Sequence, residues 1–130
     1  MNKKIFKFGG ASIKDADSIR NVGEIVKKNF SPDLILVVSA LGKTTNALEE
    51  IANSYFTKKE NTETLFTSLK EKHFSICKNL FPENHDVFAA LNNCFVEIGV
   101  DYDDVSETES IIFLKEKLNL LLYIFINIFV

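Results

Sequence analysis

Five consecutive aliphatic residues, Leu34-Ile35-Leu36-Val37-Val38, constrain this chain more than any other segment. The run is too short for a helix and carries no polar alternation, so it reads as a strand buried on both faces, as parallel sheets covered by helices require. Residues 3–8 read as an earlier strand, with Ile5-Phe6-Lys7-Phe8 alternating. Between the two, Asp15, Asp17 and Ser18 offer helix caps, and Ile19, Val22, Ile25, Val26 and Phe30 recur every three to four residues. Ser31-Pro32-Asp33 stops that helix. Strand, helix and buried strand form a βαβ unit with a right-handed crossover. Its strands end at one edge of the sheet. The turn Gly9-Gly10 and the loop Ser39-Ala40-Leu41-Gly42-Lys43-Thr44-Thr45 are therefore expected to be neighbours, where open α/β sheets bind ligands.

The next stretch is expected to be helical for some fifty residues without returning to the sheet. Asn46 with Glu49 resembles a capping box ahead of Leu48, Ile51, Ala52 and Tyr55. After the polar stretch Thr57 to Asn61, a stripe of Leu65, Leu69, His73, Ile76 and Leu80 runs to Pro82. A further helix is expected from Asn84 to Ile98, with Val87, Leu91, Cys94, Phe95 and Ile98 inward.

Length and charge narrow the function classes. A chain of 130 residues suits one domain or a piece of a larger one, and 46% hydrophobic with 25% charged residues is ordinary for a globular protein. A net charge of −3 without a long basic cluster argues against a nucleic-acid partner. Cys77 and Cys94 lack CxxC spacing, so burial is expected rather than a disulfide or zinc site. The first residues contain no signal-peptide core, and the expected location is the cytoplasm.

Residues 101–130 read differently. Asp101, Asp103 and Asp104 form an acidic cluster without an EF-hand pattern, read as a solvated loop rather than a metal site. Leu118 to Val130 is nearly all apolar but shorter than the roughly 20 residues that cross a bilayer, so no membrane is expected. Its Leu, Ile, Asn, Tyr and Phe are what A/T-rich codons specify, consistent with an out-of-frame tail. Two strands alone are too small a sheet, so the chain is expected to lack partner strands.

The chemistry centres on Lys7-Phe8-Gly9-Gly10-Ala11-Ser12. Glycines after a strand let backbone N–H groups approach phosphate oxygens, and a lysine there adds a cation for charge that grows during phosphoryl transfer. A tight turn is the competing reading. His73 on an apolar stripe reads as a core histidine, and His85 after Pro82 as an exposed turn residue.

Taken with Val37-Val38-Ser39-Ala40-Leu41-Gly42-Lys43-Thr44-Thr45-Asn46, that motif closely resembles the N-terminal part of the aspartate kinases, of the amino acid kinase superfamily. Single-function bacterial forms are the nearest match. The resemblance is good over residues 3–56, weaker to about 98 and absent beyond. It implies the N-terminal part of a three-layer αβα sandwich, truncated, with residues 1–100 belonging to the catalytic domain and 101–130 a divergent tail.

It also implies transfer of phosphate from ATP, with Mg²⁺, to the β-carboxylate of L-aspartate, the first step toward lysine, threonine and methionine. Intact members are usually homo-oligomers. By resemblance Lys7 contacts the transferring phosphates. Phe8, Gly9 and Gly10 shape the phosphate loop with Ser12 nearby, and Ser39 and Thr45 face the amino acid. Capping of the following helix is the competing role for Ser39 and Thr45, and Lys43 reads as a solvated loop charge. A carboxylate is already a nucleophile, so alignment and positive charge suffice and no Ser–His or Cys–His pair is needed.

The family's Ser-x-Gly-Glu and Gly-Gly-Ser-Asp segments have no counterpart in these residues, nor do its ACT domains; Glu107 is not assigned the substrate role. The expectation is that the 130 residues alone lack activity. A non-catalytic remnant, or a small phosphate-binding module, is the alternative.

Overall fold

A computed structural model describes residues 3–57 and 59–100. The expectations placed on residues 101–130 lie outside the described residues. The element order is β1 (Lys4–Phe8), a 3₁₀ turn (Gly10–Ile13), α1 (Ala16–Asn29), β2 (Leu34–Val38), α2 (Thr44–Phe56), α3 (Thr62–Leu80) and α4 (Val87–Val100).

The strands pair in parallel, in a register that sets Lys7 opposite Val37 and Phe8 opposite Val38. Alternation then sorts the side chains onto two faces. Phe6, Phe8, Leu34, Leu36 and Val38 face the helices and join the core. Ile5, Ile35 and Val37 lie on the other face, 65%, 42% and 45% exposed, with Lys7 beside them. The expectation that β2 is buried on both faces thus fails among the described residues, because every helix described packs toward one side.

α1 starts where its chemistry demands. The Asp15 carboxylate accepts a hydrogen bond from the Ser18 backbone N–H at 2.8 Å, satisfying one of the N–H groups a helix start leaves open. Ile19, Val22 and Val26 are buried. Phe30, expected on that stripe, is 77% exposed. It is the C-cap residue, and its ψ of 130° carries the chain off the helical spiral and the ring away from the core.

α2 begins earlier than Asn46 and Glu49 suggest. Its N-cap is Lys43, and no side chain caps it. The apolar spacing gives the reason. Leu41, Thr44, Leu48 and Ile51 are all buried at one helical spacing, so the inward stripe already starts in the loop. Burial of each large aliphatic side chain contributes about 1.5–3 kcal/mol, more than the roughly 1 kcal/mol of a cap.

α3 is the central helix, packing against α1, α2 and α4. Arg20 bridges Asp17 on its own helix and donates to the Asn79 carbonyl near the end of α3. The α2–α3 junction is closed by Ser54, whose hydroxyl lies 2.8 Å from Asn61 Oδ1 and 2.7 Å from Thr62 Oγ1. α4 buries Val87, Leu91, Cys94, Phe95 and Ile98, the five positions expected. Phe95 meets Phe66 and His73 edge-on, at centroid distances of 5.8 and 5.5 Å. Among the described residues no helix is long and apolar enough to cross a membrane.

Candidate functional site

The two loops predicted to be neighbours meet at the C-terminal edge of the sheet. The Ser39 backbone N–H donates to the Phe8 carbonyl at 2.9 Å, carrying the strand ladder one step beyond β2. A Cβ placed on Gly10 would lie 3.6 Å from the Ala40 carbonyl oxygen and 3.8 Å from Ser39 Oγ. One placed on Gly42 would lie 3.1 Å from both Cα and Cβ of Lys14, so this glycine is what lets the two loops close.

Gly9 and Gly10 do not use glycine's left-handed freedom. No glycine among the described residues has positive φ, and Gly9 sits at φ −78°. Their contribution is space. A Cβ on Gly9 would meet nothing within 4 Å, leaving an open approach to the backbone at the start of the 3₁₀ turn. The Ser12 N–H closes that turn on the Gly9 carbonyl at 2.9 Å. The N–H groups of Gly10 and Ala11 come first in the turn, where helical geometry supplies no acceptor. Such a backbone suits anionic oxygens.

The remaining site candidates divide. Lys7 is exposed on the open sheet face, near the end of β1. The Phe8 side chain is 9% exposed and belongs to the core, so only its carbonyl reaches the loop contact. Ser12 lines an open cleft of about 310 Å³ with Lys14, Ser18 and Asn21, and none of Gly9, Gly10, Ser39 or Thr45 lines it. Ser39 is exposed and Thr45 half-buried in the first turn of α2. Neither hydroxyl caps the helix, and both lack hydrogen-bond partners among the described residues. The competing capping role is therefore not seen. The neighbouring Thr44 is 1% exposed, and its hydroxyl also has no partner among the described residues.

The edge is rich in cations. Lys7, Lys14, Lys43 and Lys72 have no carboxylate within salt-bridge distance among the described residues, where the ion pairs are Arg20–Asp17 and Lys27–Glu24. Asp15 is held below the usual carboxylate range, first by its hydrogen bonding to Ser18 and last by the charge of Lys14. Two features escaped sequence reasoning. Lys43 takes the left-handed conformation, φ 59°. The Lys72 ammonium on α3 donates to the Gly42 carbonyl at 2.7 Å. A contact across thirty residues leaves no local signal.

The histidines and cysteines stand apart from this edge chemistry. His73 is fully buried and donates through Nδ1 to the Leu69 carbonyl at 2.8 Å. His85 is exposed in the turn before α4 and accepts from the Val87 N–H at 3.1 Å. Cys77 and Cys94 are buried and form no disulfide among the described residues, and burial pushes the Cys77 thiol up to about 11. Among the described residues no three His, Cys, Asp or Glu side chains converge as metal ligands.

Known proteins share this pattern. An aspartokinase of Chlamydia muridarum is 39% identical over 77 residues, covering 58% of this chain and 16% of the relative. The aspartokinase of Corynebacterium glutamicum is 44% identical over 48 residues, 35% of this chain and 11% of the relative. The chloroplastic bifunctional aspartokinase/homoserine dehydrogenase of Daucus carota is 31% identical over 80 residues, 62% of this chain and 9% of that protein. The chain thus spans less than a fifth of each of these relatives. The model of the amino acid kinase family matches residues 2–121. With a parallel βαβ start and two ligand-edge loops in contact, the chain belongs to the amino acid kinase family.

Proposed function

We propose that this chain carries the N-terminal half-site of an aspartate kinase, which transfers the γ-phosphoryl group of ATP to the β-carboxylate of L-aspartate. The observation that carries this reading is the contact between the Gly9-Gly10 turn and the loop after β2, where Gly10 lies against Ala40, Gly42 and the Ser39 hydroxyl while the approach to Gly9 stays open. Its similarity to proteins named aspartokinases supports aspartate as the phosphate acceptor.

Each residue has a role in this reading. Gly9, Gly10 and Ala11 offer backbone N–H groups to the phosphates, and Lys7 neutralises the charge that spreads over the transferring group. Ser39 and Thr45 orient aspartate so that a carboxylate oxygen lies in line with the γ-phosphorus, where proximity supplies most of the acceleration. The carboxylate attacks unaided and ADP leaves, so no proton need be removed. Mg²⁺ carried on the ATP phosphates would screen their charge. Among the described residues no carboxylate cluster would hold it. Ser12 belongs to the same phosphate loop in this reading, closing its turn through the backbone N–H on the Gly9 carbonyl.

The reading extends to a cytoplasmic enzyme of lysine, threonine and methionine synthesis. The 130 residues alone bind without turning over, because the family's later nucleotide motifs have no counterpart in them. Titration of the chain with L-aspartate, followed by amide NMR, is expected to shift Ser39 to Asn46, while hydroxamate trapping detects no aspartyl phosphate. Shifts with ATP and none with aspartate favour the phosphate-binding module instead.

A further inference from the structure

We infer that Lys72, on α3, is a positioning residue for the loop that runs from Ser39 into the first turn of α2, where Thr45 lies. This goes beyond the proposed function, on which its link to aspartate rests.

The loop enters from β2, whose ladder ends with the Ser39 N–H on the Phe8 carbonyl, and leaves through the Lys43 N-cap of α2. Between these anchors the chain must turn at Gly42. Two contacts hold it there. On one side Gly42 packs so closely on Lys14 that a Cβ would lie 3.1 Å from the Lys14 backbone. On the other the Lys72 ammonium donates to the Gly42 carbonyl at 2.7 Å, a charge-assisted hydrogen bond stronger than a neutral one.

That second contact ties the loop to the most deeply packed part of the molecule. Lys72 itself is exposed, yet His73 and Ile76 beside it on α3 are buried. α3 touches α1, α2 and α4, so its backbone cannot drift independently of the core. The lysine therefore transmits the rigidity of the helical layer to a loop that otherwise lies at the surface. Lys43 adds to the need for such a tether. A non-glycine residue in left-handed conformation is strained and persists only where its surroundings hold it.

Lys72 also has no carboxylate partner among the described residues, so its charge faces the loop uncompensated. An anionic ligand bound at the edge would meet a loop already held and a positive potential already in place. Hydrogen bonding by the ammonium and its charge act together, and arginine retains both.

Hydrogen exchange on the full 130-residue chain tests this directly, because it reads the loop without requiring ligand or turnover. In Lys72→Met, which keeps the apolar stem, exchange at residues 40–46 should rise about tenfold while α4 is unchanged, and Lys72→Arg should restore the native rate. Unchanged exchange in Lys72→Met overturns the inference. A rise spread evenly over α2, α3 and α4 also overturns it, since it makes Lys72 a general structural contact. A parallel titration with L-aspartate separates this from the functional reading. If the native chain ignores aspartate while the exchange pattern appears, the tether stands and the aspartate reading falls. If the native chain binds aspartate, Lys72→Met should weaken that binding several-fold and Lys72→Arg should recover most of it.

Discussion

A methyl group added at Gly9 and one added at Gly42 meet opposite surroundings, and the difference separates binding from stability. At Gly9 it has nothing within 4 Å and the backbone already holds a φ open to any residue. At Gly42 it presses on the Lys14 backbone at 3.1 Å, which a side-chain rotation cannot relieve. Gly9→Ala is therefore expected to leave the urea midpoint within about 0.5 kcal/mol of native, or to raise it slightly through the unfolded state. It should nonetheless weaken ATP or pyrophosphate binding, because the methyl fills the approach to the turn. Gly42→Ala should cost about 1–3 kcal/mol of stability, as overpacking does. Equal phosphate binding by Gly9→Ala and native chain would remove the turn from the proposed site.

At the scale of elements, the legible parts were those decided by local chemistry. Asp15 at the start of α1 and the five inward positions of α4 could be read from cap chemistry and spacing alone. The start of α2 could not. Asn46 and Glu49 have the right chemistry for a cap, but burial of Leu41 and Thr44 begins the helix at Thr44. Phe30 has the right spacing, but the helix ends one residue too soon to turn it inward. The loop contact was predictable from the parallel pairing, whereas its tether to Lys72 depends on how α3 packs.

His73 shows what an α3 core position implies for pH. Burial is the main cause holding its imidazole below the ordinary value of 6.5; the Leu69 hydrogen bond opposes this and the Lys72 charge adds to it. The unfolded chain takes up the proton near pH 6.5, while the folded chain takes it up only at lower pH. This contribution to stability is therefore full above about 6.5 and is lost as pH falls toward the folded-state value. Within that window the slope is at most about 1.4 kcal/mol per pH unit. Urea midpoints compared at pH 8 and 5.5 should show a smaller decline for His73→Leu than for the native chain. Equal declines would mean that His73 titrates alike in both states.

Across the whole molecule the sheet is the unusual part, since parallel strands are normally covered on both faces. Here the described helices cover only the face of Phe6, Phe8 and Leu36, leaving Ile5, Ile35 and Val37 partly in water beside Lys7. That asymmetry bears on function, because the proposed phosphate lysine projects from the open face while the Gly9-Gly10 turn sits at the edge joining both. An aspartate kinase site on this scaffold needs further protein on the open side to enclose the nucleotide and exclude water. The energetic cost of substitutions reports whether such cover is present. Replacing Ile35 by Thr is expected to cost under about 1 kcal/mol in the 130-residue chain, because much of that side chain is already hydrated. Leu36→Ala, one residue along but packed against the core, is expected to cost about 2 kcal/mol or more. The two urea midpoints should therefore differ clearly. A cost for Ile35→Thr as large as that for Leu36→Ala would mean that the face is covered in solution. If the difference disappears only when a longer form of the chain is measured, the cover comes from the added residues, and ATP affinity should rise with them.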